Sequence, residues 1–250
     1  MVIFRRVIPA WYHSTTAKHY KKLNNQMKST HILPGKTKAV IFDVDGTLYN
    51  QKKLRTLIAK KILLHYLIRP HRFNDLEIIH HFRRERENNH SKPVVDLAEE
   101  QYLWAADKAG VPVSKVKEVI DLWIFQKPLQ CLPACVYDGV RELFAHLAEH
   151  GIARIIFSDY PALDKIKAMG LEADGFICAT DSEINCLKPH PRGLEIIMKR
   201  WSLSPEQLLF IGDRDDRDGE CARRAGVPYL LRVDKLTDNS PCFTSFNQLF

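Results

Sequence analysis

The sequence lacks several patterns that would assign a protein to a class at once. It has no uninterrupted apolar run near the roughly 18 residues that indicate a membrane-spanning helix. The longest amphipathic stretch, residues 57–68, carries Lys60, Lys61 and His65, so it predicts a helix that does not cross a membrane. The six cysteines include no Cys-x-x-Cys pair, and there is no internal repeat. A zinc site and a disulfide framework are therefore not indicated, and a cytoplasmic protein with reduced thiols is expected.

Acidic residues are absent from the first 42 positions, which hold eight lysines and arginines. Residues 1–37 also show no convincing pattern of core residues, and they are predicted to form a basic N-terminal extension outside the fold. Three interpretations stay open, namely a disordered tail, an organellar transit peptide, or sequence upstream of a start at Met27. The transit peptide would replace the cytoplasmic location by an organellar one.

Positive charge is also concentrated in residues 51–92, where eleven lysines and arginines and five histidines accompany only four acidic residues. The net charge of +7 is therefore a property of two segments, and no specific nucleic-acid partner is predicted. Solvated helix faces explain the second segment most simply. The functional alternative is recognition of an anionic substrate, or docking to nucleic acid or an anionic membrane.

The most informative stretch is residues 38–48, in which four apolar residues run directly into two carboxylates. A continuous apolar run that ends at a glycine predicts a strand buried on both faces, as in a parallel sheet. Asp43 and Asp45 then lie at the carboxyl end of this strand, where open α/β sheets place their ligands. Two acidic side chains at a strand tip indicate a functional site rather than a solvated turn.

The rest of the chain predicts an α/β fold that is interrupted by helices. Asn74, Pro93 and Ser114 are predicted helix starts. Four helices are expected, over residues 52–68, 74–88, 93–110 and 114–128. From residue 131 onward, strands and helices alternate with short connections, which is typical of a doubly wound parallel sheet. The predicted domains are a core of residues 38–50 and 131–250 and an inserted helical domain of residues 51–130.

Four motifs occur in the order found in the haloacid dehalogenase-like (HAD) superfamily. They are Asp43-Val-Asp-Gly-Thr-Leu48, Ser158 at a strand end, Lys188 in Cys186-Leu-Lys-Pro, and Gly212-Asp-Arg-Asp-Asp-Arg-Asp218. Over residues 38–232 the chain therefore resembles this superfamily, whose members are mostly Mg2+-dependent phosphatases with a Rossmann-like core. The inserted helices resemble the C1-type cap of phosphoglycolate phosphatase-like members, although Tyr49 and Arg214 depart from the pattern of that subgroup.

The resemblance implies a role for each motif residue. Asp43 would be the nucleophile that becomes an aspartyl phosphate, and Asp45 the general acid and base. The Mg2+ ligands would be Asp43, the backbone carbonyl of Asp45, Asp213 and Asp218, with Asp215 and Asp216 as alternatives to Asp218. Contacts to the phosphate would come from Thr47, Ser158, Asp159 and Lys188, of which Lys188 would also stabilise developing charge. Tyr160 is a candidate substrate contact or a packing residue of its turn.

The implied activity is hydrolysis of a small phosphomonoester, a phosphorylated metabolite. A phosphosugar mutase of the β-phosphoglucomutase type uses the same core residues, so it stays open as the alternative. Dehalogenation is disfavoured because dehalogenases of the superfamily lack the second aspartate, here Asp45. A regulatory protein without turnover is disfavoured because such relatives usually lose a motif aspartate. No motif assigns the substrate or the oligomeric state.

Overall fold

The computed structural model describes residues 35–90 and 93–250, so nearly all of the predicted N-terminal extension lies outside the described residues. A sheet of six strands has the order β3-β2-β1-β4-β5-β6, and each neighbouring pair is parallel. The strands are β1 (Ala39–Phe42), β2 (Ala153–Ser158), β3 (Gly175–Cys178), β4 (Leu208–Gly212), β5 (Tyr229–Arg232) and β6 (Cys242–Phe243). The predicted α/β fold with a parallel sheet is thereby confirmed, and β6 extends the sheet beyond the strands predicted.

Over the described residues, helices lie in every connection between consecutive strands except the one from β5 to β6. The first five, which lie between β1 and β2, form a helical insertion, defined here as residues 51–129. The helices are α1 (Gln51–Leu67), α2 (Asp75–Asn88), α3 (Leu97–Ala109), α4 (Val113–Ile120), α5 (Lys127–Leu129), α6 (Val140–Glu149), α7 (Leu163–Ala168), α8 (Arg192–Trp201) and α9 (Glu220–Ala225), and the π-helical turn Asp121–Gln126 joins α4 to α5.

The predicted starts of two helices need correction, whereas the start of α2 at Asn74 is confirmed. Asn74 is the residue at the N-terminal end of α2, although its side chain makes no capping hydrogen bond. Helix α3 begins at Leu97 rather than near Pro93, because the Asp96 carboxylate accepts a hydrogen bond from the Glu99 amide and caps the free end. Helix α4 follows Pro112, and so it begins before Ser114. For α3 and α4, a favourable residue type therefore marked the right region but not the residue at which the helix begins.

The two faces of the sheet belong to separate apolar clusters. Val40 and Phe42 of β1 point into one cluster, and Ala39 and Ile41 point into the other. Helix α6 covers the first face, where Phe144 lies 4.7 Å from Phe42 between ring centroids. All four residues of β1 are fully buried, which explains why this strand is continuously apolar. Helices on both faces make the sheet doubly wound, as predicted.

The helical insertion leaves and rejoins the sheet domain through one short connector. Tyr49 and Val136 form an antiparallel bridge. Beside it, the Asn50 amide donates to the Cys135 carbonyl at 2.9 Å. Within the insertion, the Trp123 indole donates to the Tyr66 hydroxyl at 3.0 Å, and both side chains are buried. These residues belong to the same apolar cluster as Phe42, so the insertion and the first face of the sheet share one core.

Candidate active site

The carboxyl ends of three neighbouring strands meet at one edge of the sheet. Strand β1 lies between β2 and β4. Asp43 follows β1, Ser158 ends β2, and Asp213 follows β4. Lys188, from the loop before α8, reaches the same place and contacts Asp43. The structure thus brings residues from all four sequence motifs into one site.

Three carboxylates form the centre of this site. Asp43, Asp213 and Asp218 each offer an oxygen atom, and these atoms lie within 4.8 Å of one another. Burial raises the pKa of Asp43 to about 7 and that of Asp213 to about 8, and the neighbouring carboxylates add to both shifts. Such a cluster favours either protonation or a bound cation, because buried like charges repel one another.

The structure distinguishes Asp218 from its neighbours in the acidic loop, defined here as residues 213–218. Asp218 is almost fully buried, and one of its oxygens accepts hydrogen bonds from the amides of Asp213 and Arg214 at 3.2 and 3.0 Å. The Asp216 side chain is 67% exposed and pairs with Arg214. Asp215 accepts a hydrogen bond from Arg223 instead. Of the three candidates for the last acidic position, only Asp218 lies within the carboxylate cluster.

Lys188 is the cation that balances these carboxylates. Its ammonium nitrogen lies 2.5 Å from Asp43 Oδ1 and 2.7 Å from Asp218 Oδ1, and the side chain is buried. Burial by itself would lower the pKa of Lys188, but Asp218 and Asp43 outweigh it and hold that pKa well above its usual value. The Asp159 carboxylate accepts from the Lys188 amide at 3.1 Å, so Asp159 positions the loop that carries this lysine.

Asp45 has surroundings that differ from those of Asp43. The Lys165 ammonium lies 2.6 and 2.7 Å from its two carboxylate oxygens, and the Tyr49 hydroxyl donates a hydrogen bond to the first of them. Burial alone would raise the pKa of Asp45, but Lys165 and Tyr49 lower it. The two acidic residues after β1 are therefore held in different protonation environments, only two positions apart.

Lys165 was not predicted as a site residue. It lies in the first turn of α7, the helix that follows β2, and side chains in a helix lean towards its N-terminus. This direction aims Lys165 at the carboxyl edge of the sheet. The one available signal in the sequence was thus a lysine in the first turn of the helix that follows a motif strand. This pattern is too common to identify a site residue.

Thr47 and Ser158 occupy the walls of the site beside the carboxylates. The buried Thr47 hydroxyl donates to Asp43 Oδ2 at 2.9 Å. The buried Ser158 hydroxyl accepts from the Tyr160 amide at 3.2 Å. Both hydroxyls hold a neighbouring group in this structure. The Ser158 hydroxyl still has its proton to donate to a ligand, whereas the Thr47 hydroxyl donates its proton to Asp43.

Gly46 allows the chain to turn tightly against Asp213. Its φ of +105° is unfavourable for residues with a side chain, and a Cβ atom there would overlap the Asp213 carboxylate. Glycine is therefore required at position 46 for two reasons. The backbone conformation disfavours a side chain, and the Asp213 carboxylate leaves no room for one.

Gly46→Ala is expected to lower the free energy of unfolding by about 2–4 kcal/mol, since a strained backbone and a steric clash coincide. Gly110→Ala is the matched control, because Gly110 also has a positive φ of +63° but would have no atom within 4 Å of an added Cβ. It should cost about 1 kcal/mol. Urea denaturation of both variants measures the difference, and equal losses would contradict the proposed clash.

Helix α2 of the insertion closes the site from above. Arg86 donates to the Asp159 carbonyl at 2.6 Å, and its guanidinium lies 4.1 Å from the centre of the Tyr160 ring. Glu87 accepts hydrogen bonds from Arg214 and Arg217, which belong to the acidic loop. Tyr160 therefore supports Arg86 at the cavity wall, and Arg214, an atypical residue at its motif position, joins the loop to the insertion. The cavity at this site has a volume of about 750 Å3.

Comparisons with known proteins agree with this architecture. The sequence model of the haloacid dehalogenase-like hydrolase family matches residues 37–226, and the chain therefore belongs to this family. A glyceraldehyde 3-phosphate phosphatase from Methanopyrus kandleri is 26% identical over 214 residues, which are 82% of this chain and 88% of the relative. Pyrophosphatase PpaX from Bacillus pumilus is 22% identical over 204 residues, 78% of this chain and 85% of the relative.

Among solved structures, a 2-haloacid dehalogenase from Pseudomonas syringae pv. Tomato has the same fold. Its TM-score is 0.59 at 18% identity, and the match covers 85% of this chain and 96% of the other. The relatives therefore include both phosphate-releasing enzymes and a dehalogenase. The fold defines a HAD-family hydrolase, and the residues of the site have to decide between these reactions. In the described part of the chain, no helix is both long and apolar enough to cross a membrane.

Proposed function

We propose that this protein is a Mg2+-dependent phosphatase that hydrolyses a small phosphomonoester through an aspartyl phosphate on Asp43. The observation that carries this proposal is the second carboxylate, Asp45, which lies two residues after Asp43 and is held by Lys165 and Tyr49 at the wall of the same cavity. Phosphoryl transfer needs a group that exchanges a proton with the leaving oxygen and with water. The names of the two relatives, a phosphatase and a pyrophosphatase, support the same reaction class.

The carboxylate cluster is chemically suited to a divalent cation. Asp43, Asp213 and Asp218 present hard oxygen atoms close together, and one lysine balances only part of their charge. Mg2+ takes such ligands together with waters and phosphate oxygens. When bound, it would offset the repulsion between the Asp43 carboxylate and an approaching phosphate dianion. A contribution from the Asp45 backbone carbonyl stays a prediction.

In the proposed first step, a carboxylate oxygen of Asp43 attacks phosphorus, and the bond from phosphorus to the leaving oxygen breaks. Asp45 donates a proton to that oxygen. The pKa of Asp45 is low without substrate, but an incoming phosphate dianion raises it because like charges disfavour ionisation. Lys188 balances the negative charge that develops, and the Ser158 hydroxyl donates to a phosphoryl oxygen. The Thr47 hydroxyl does the same once it releases its hydrogen bond to Asp43.

In the second step, water attacks phosphorus and Asp45 takes its proton. The bond between phosphorus and Asp43 then breaks, which releases inorganic phosphate and regenerates the carboxylate. The hydrogen bonds from Lys165 and Tyr49 hold Asp45 ionised and oriented for this base role. The two steps balance in atoms and charge without any further reactant.

We also propose that residues 51–130 act as a cap over a core of residues 38–50 and 131–250. The connector between Tyr49 and Val136 supports this division, because both crossings of the chain lie there. The contacts of Arg86 and Glu87 with the core are polar, so they can be broken and remade when substrate enters.

Phosphate release from a panel of phosphomonoesters, with Mg2+ and with EDTA, tests the proposed function. We expect release that depends on Mg2+ from at least one ester. No release from any ester, combined with isomerisation of a sugar phosphate that requires a bisphosphate, would favour the mutase alternative. Halide release from a 2-haloacid without phosphate release would favour the dehalogenase reaction.

The pKa shifts predict that binding of Mg2+ releases protons. Without metal, Asp43 and Asp213 have pKa values of about 7 and about 8, so they are partly protonated at pH 7, and a metal ligand must be ionised. We expect between about one and about two protons released per ion at pH 7, and an affinity that rises with pH until about pH 8. Calorimetry in buffers of different ionisation enthalpy measures this number. An affinity independent of pH would contradict the prediction.

A further inference from the structure

Helices α1 and α2 of the insertion each present one face to the cavity. Leu54, Arg55, Ile58 and Ile62 follow the spacing of one helical face on α1, and all four line the cavity. Leu76, Ile79 and Arg83 do the same on α2. The two faces therefore form two walls of one space that the carboxylates also line.

The two walls run in opposite directions along this space. Arg55 and Arg83 lie at one end. There, the charges of Arg55 and Asp45 both act on the Arg83 guanidinium. At the other end, the Tyr66 hydroxyl lies 3.3 Å from an Asp75 oxygen and joins the end of α1 to the start of α2. With a rise of 1.5 Å per residue, Arg55 and Ile62 are about 10 Å apart along α1. The cavity is thus an elongated slot that begins at the catalytic carboxylates.

The chemical character of the slot changes along its length. Next to the carboxylates, Arg86, Arg214 and Arg217 already have hydrogen-bond partners within the protein. Arg55 and Arg83 make no hydrogen bond or ion pair among the residues that the structure describes, although both line the cavity. A pair of uncommitted guanidinium groups at this position is suited to bind an anion.

The far half of the slot is apolar. Ile58, Ile79 and Trp123 line it and are at most 7% exposed, so they form firm walls. Ala59 also lines the slot and leaves room between these larger side chains. Apolar walls of this kind increase the affinity of a ligand that covers them, because water makes no compensating contacts there.

We propose that the substrate is the phosphate ester of an amphiphilic hydroxy acid. Its carboxylate binds Arg55 and Arg83, and an aliphatic or aromatic chain of medium length fills the slot towards Ile62. This inference rests on the proposed function and specifies its substrate class. The face of α1 that lines the slot ends at Ile62, about 10 Å from Arg55, which favours a chain of medium length.

Four matched esters test the two parts of this proposal. Ethyl phosphate, heptyl phosphate, 2-(phosphonooxy)propanoate and 2-(phosphonooxy)octanoate combine a short or long chain with the absence or presence of a carboxylate. We expect the octanoate ester to have the highest kcat/KM. The carboxylate should contribute about 10–100-fold, and the added methylenes together should contribute at least about 30-fold.

Two variants assign these gains to residues. Arg83→Gln should reduce the ratio of kcat/KM between carboxylate-bearing and carboxylate-free esters to near one. Ala59→Leu should fill the slot and remove the preference for the long chain, and the exposed position on α1 tolerates leucine without a folding cost. Lys60→Gln and Lys60→Leu are the controls, because Lys60 is the exposed neighbour that does not line the cavity. Both should keep the wild-type ratios.

Binding of the products provides a readout without turnover. We expect 2-hydroxyoctanoate to bind the metal-free wild type at least about 10-fold more tightly than 2-hydroxypropanoate or heptanol, measured by equilibrium dialysis. Mg2+-dependent hydrolysis of all four esters at similar rates, with unchanged ratios in Arg83→Gln, would overturn the substrate class and leave the phosphatase function standing. No hydrolysis of any phosphomonoester would overturn the proposed function and this inference together.

Discussion

Asp43→Asn is expected to lower kcat for phosphate release by about 10,000-fold or more, since an amide is a poor nucleophile and no other carboxylate occupies its place. The substitution changes one oxygen to nitrogen and leaves the volume of the side chain nearly unchanged. The Thr47 hydroxyl can still donate to the remaining oxygen. The variant should therefore fold normally, and its loss of activity should reflect chemistry rather than unfolding.

The matched control for this variant is Asp216→Asn. Asp216 lies in the same acidic site loop, but its side chain is largely exposed and pairs with Arg214 rather than with the carboxylate cluster. It should retain activity within about threefold. Rapid-quench experiments with a phosphate-labelled ester should detect labelled wild-type protein and no labelled Asp43→Asn. Labelled Asp43→Asn protein would show that another residue is the nucleophile.

Lys188→Met is expected to lower the free energy of unfolding of the metal-free protein by about 3–5 kcal/mol at pH 8, because it leaves buried carboxylates without their cation. Lys188 contacts both Asp43 and Asp218, so a single substitution removes two ion pairs. The activity should also fall by at least about 100-fold, since a positive charge at the phosphoryl group is lost.

The effect of this substitution should depend on pH and on metal. Without Lys188, the carboxyls that bind protons in the folded protein have pKa values far above those of the unfolded chain. Lys188 lowers the pKa of Asp43 and Asp213, which are about 7 and about 8 in its presence, so its loss raises both further. The folded variant then binds more protons than the unfolded chain from about pH 4 to above pH 8, and its stability falls as pH rises through this interval. The loss should thus be smaller at pH 5 than at pH 8, and Mg2+ should restore part of it.

Lys167→Met is the control, because Lys167 is an exposed lysine on α7 and its replacement should change stability by less than about 0.5 kcal/mol. Urea denaturation at pH 5 and pH 8, with and without Mg2+, measures all of these effects. A loss for Lys188→Met that is independent of both pH and Mg2+ would show that packing, rather than charge balance, accounts for the role of Lys188.

The proposed substrate class and the proposed catalytic chemistry use different parts of the molecule. The carboxylates and Lys188 belong to loops at the edge of the sheet. The anion-binding arginines and the apolar walls belong to the helical insertion. Substrate recognition can therefore vary separately from the catalytic chemistry, because the insertion can change without disturbing the sheet.

The sequence by itself determined the parallel sheet and the motif positions. A strand buried on both faces must be apolar throughout, so β1 was visible as a short run of four apolar residues before Asp43. Alternating strands and helices then required a doubly wound arrangement, in which strand ends meet at one edge. Asp43, Ser158 and Asp213 could be grouped on that basis, since each follows or ends a strand.

Only the tertiary structure decided which of the acidic residues in the fourth motif enters the cluster. Asp215, Asp216 and Asp218 are equivalent in composition, and their difference arises because a π-helical turn over Asp215–Gly219 turns Asp218 inward against two loop amides. Lys165 was equally hidden, since its distance of 120 residues from Asp45 leaves no local pattern. Contacts between distant segments depend on how helices pack, and a single sequence carries little information about that packing. Short sequence motifs therefore predicted most of the residues of the site. The lysine beside Asp45, the selection of Asp218 and the shape of the slot depended on the fold.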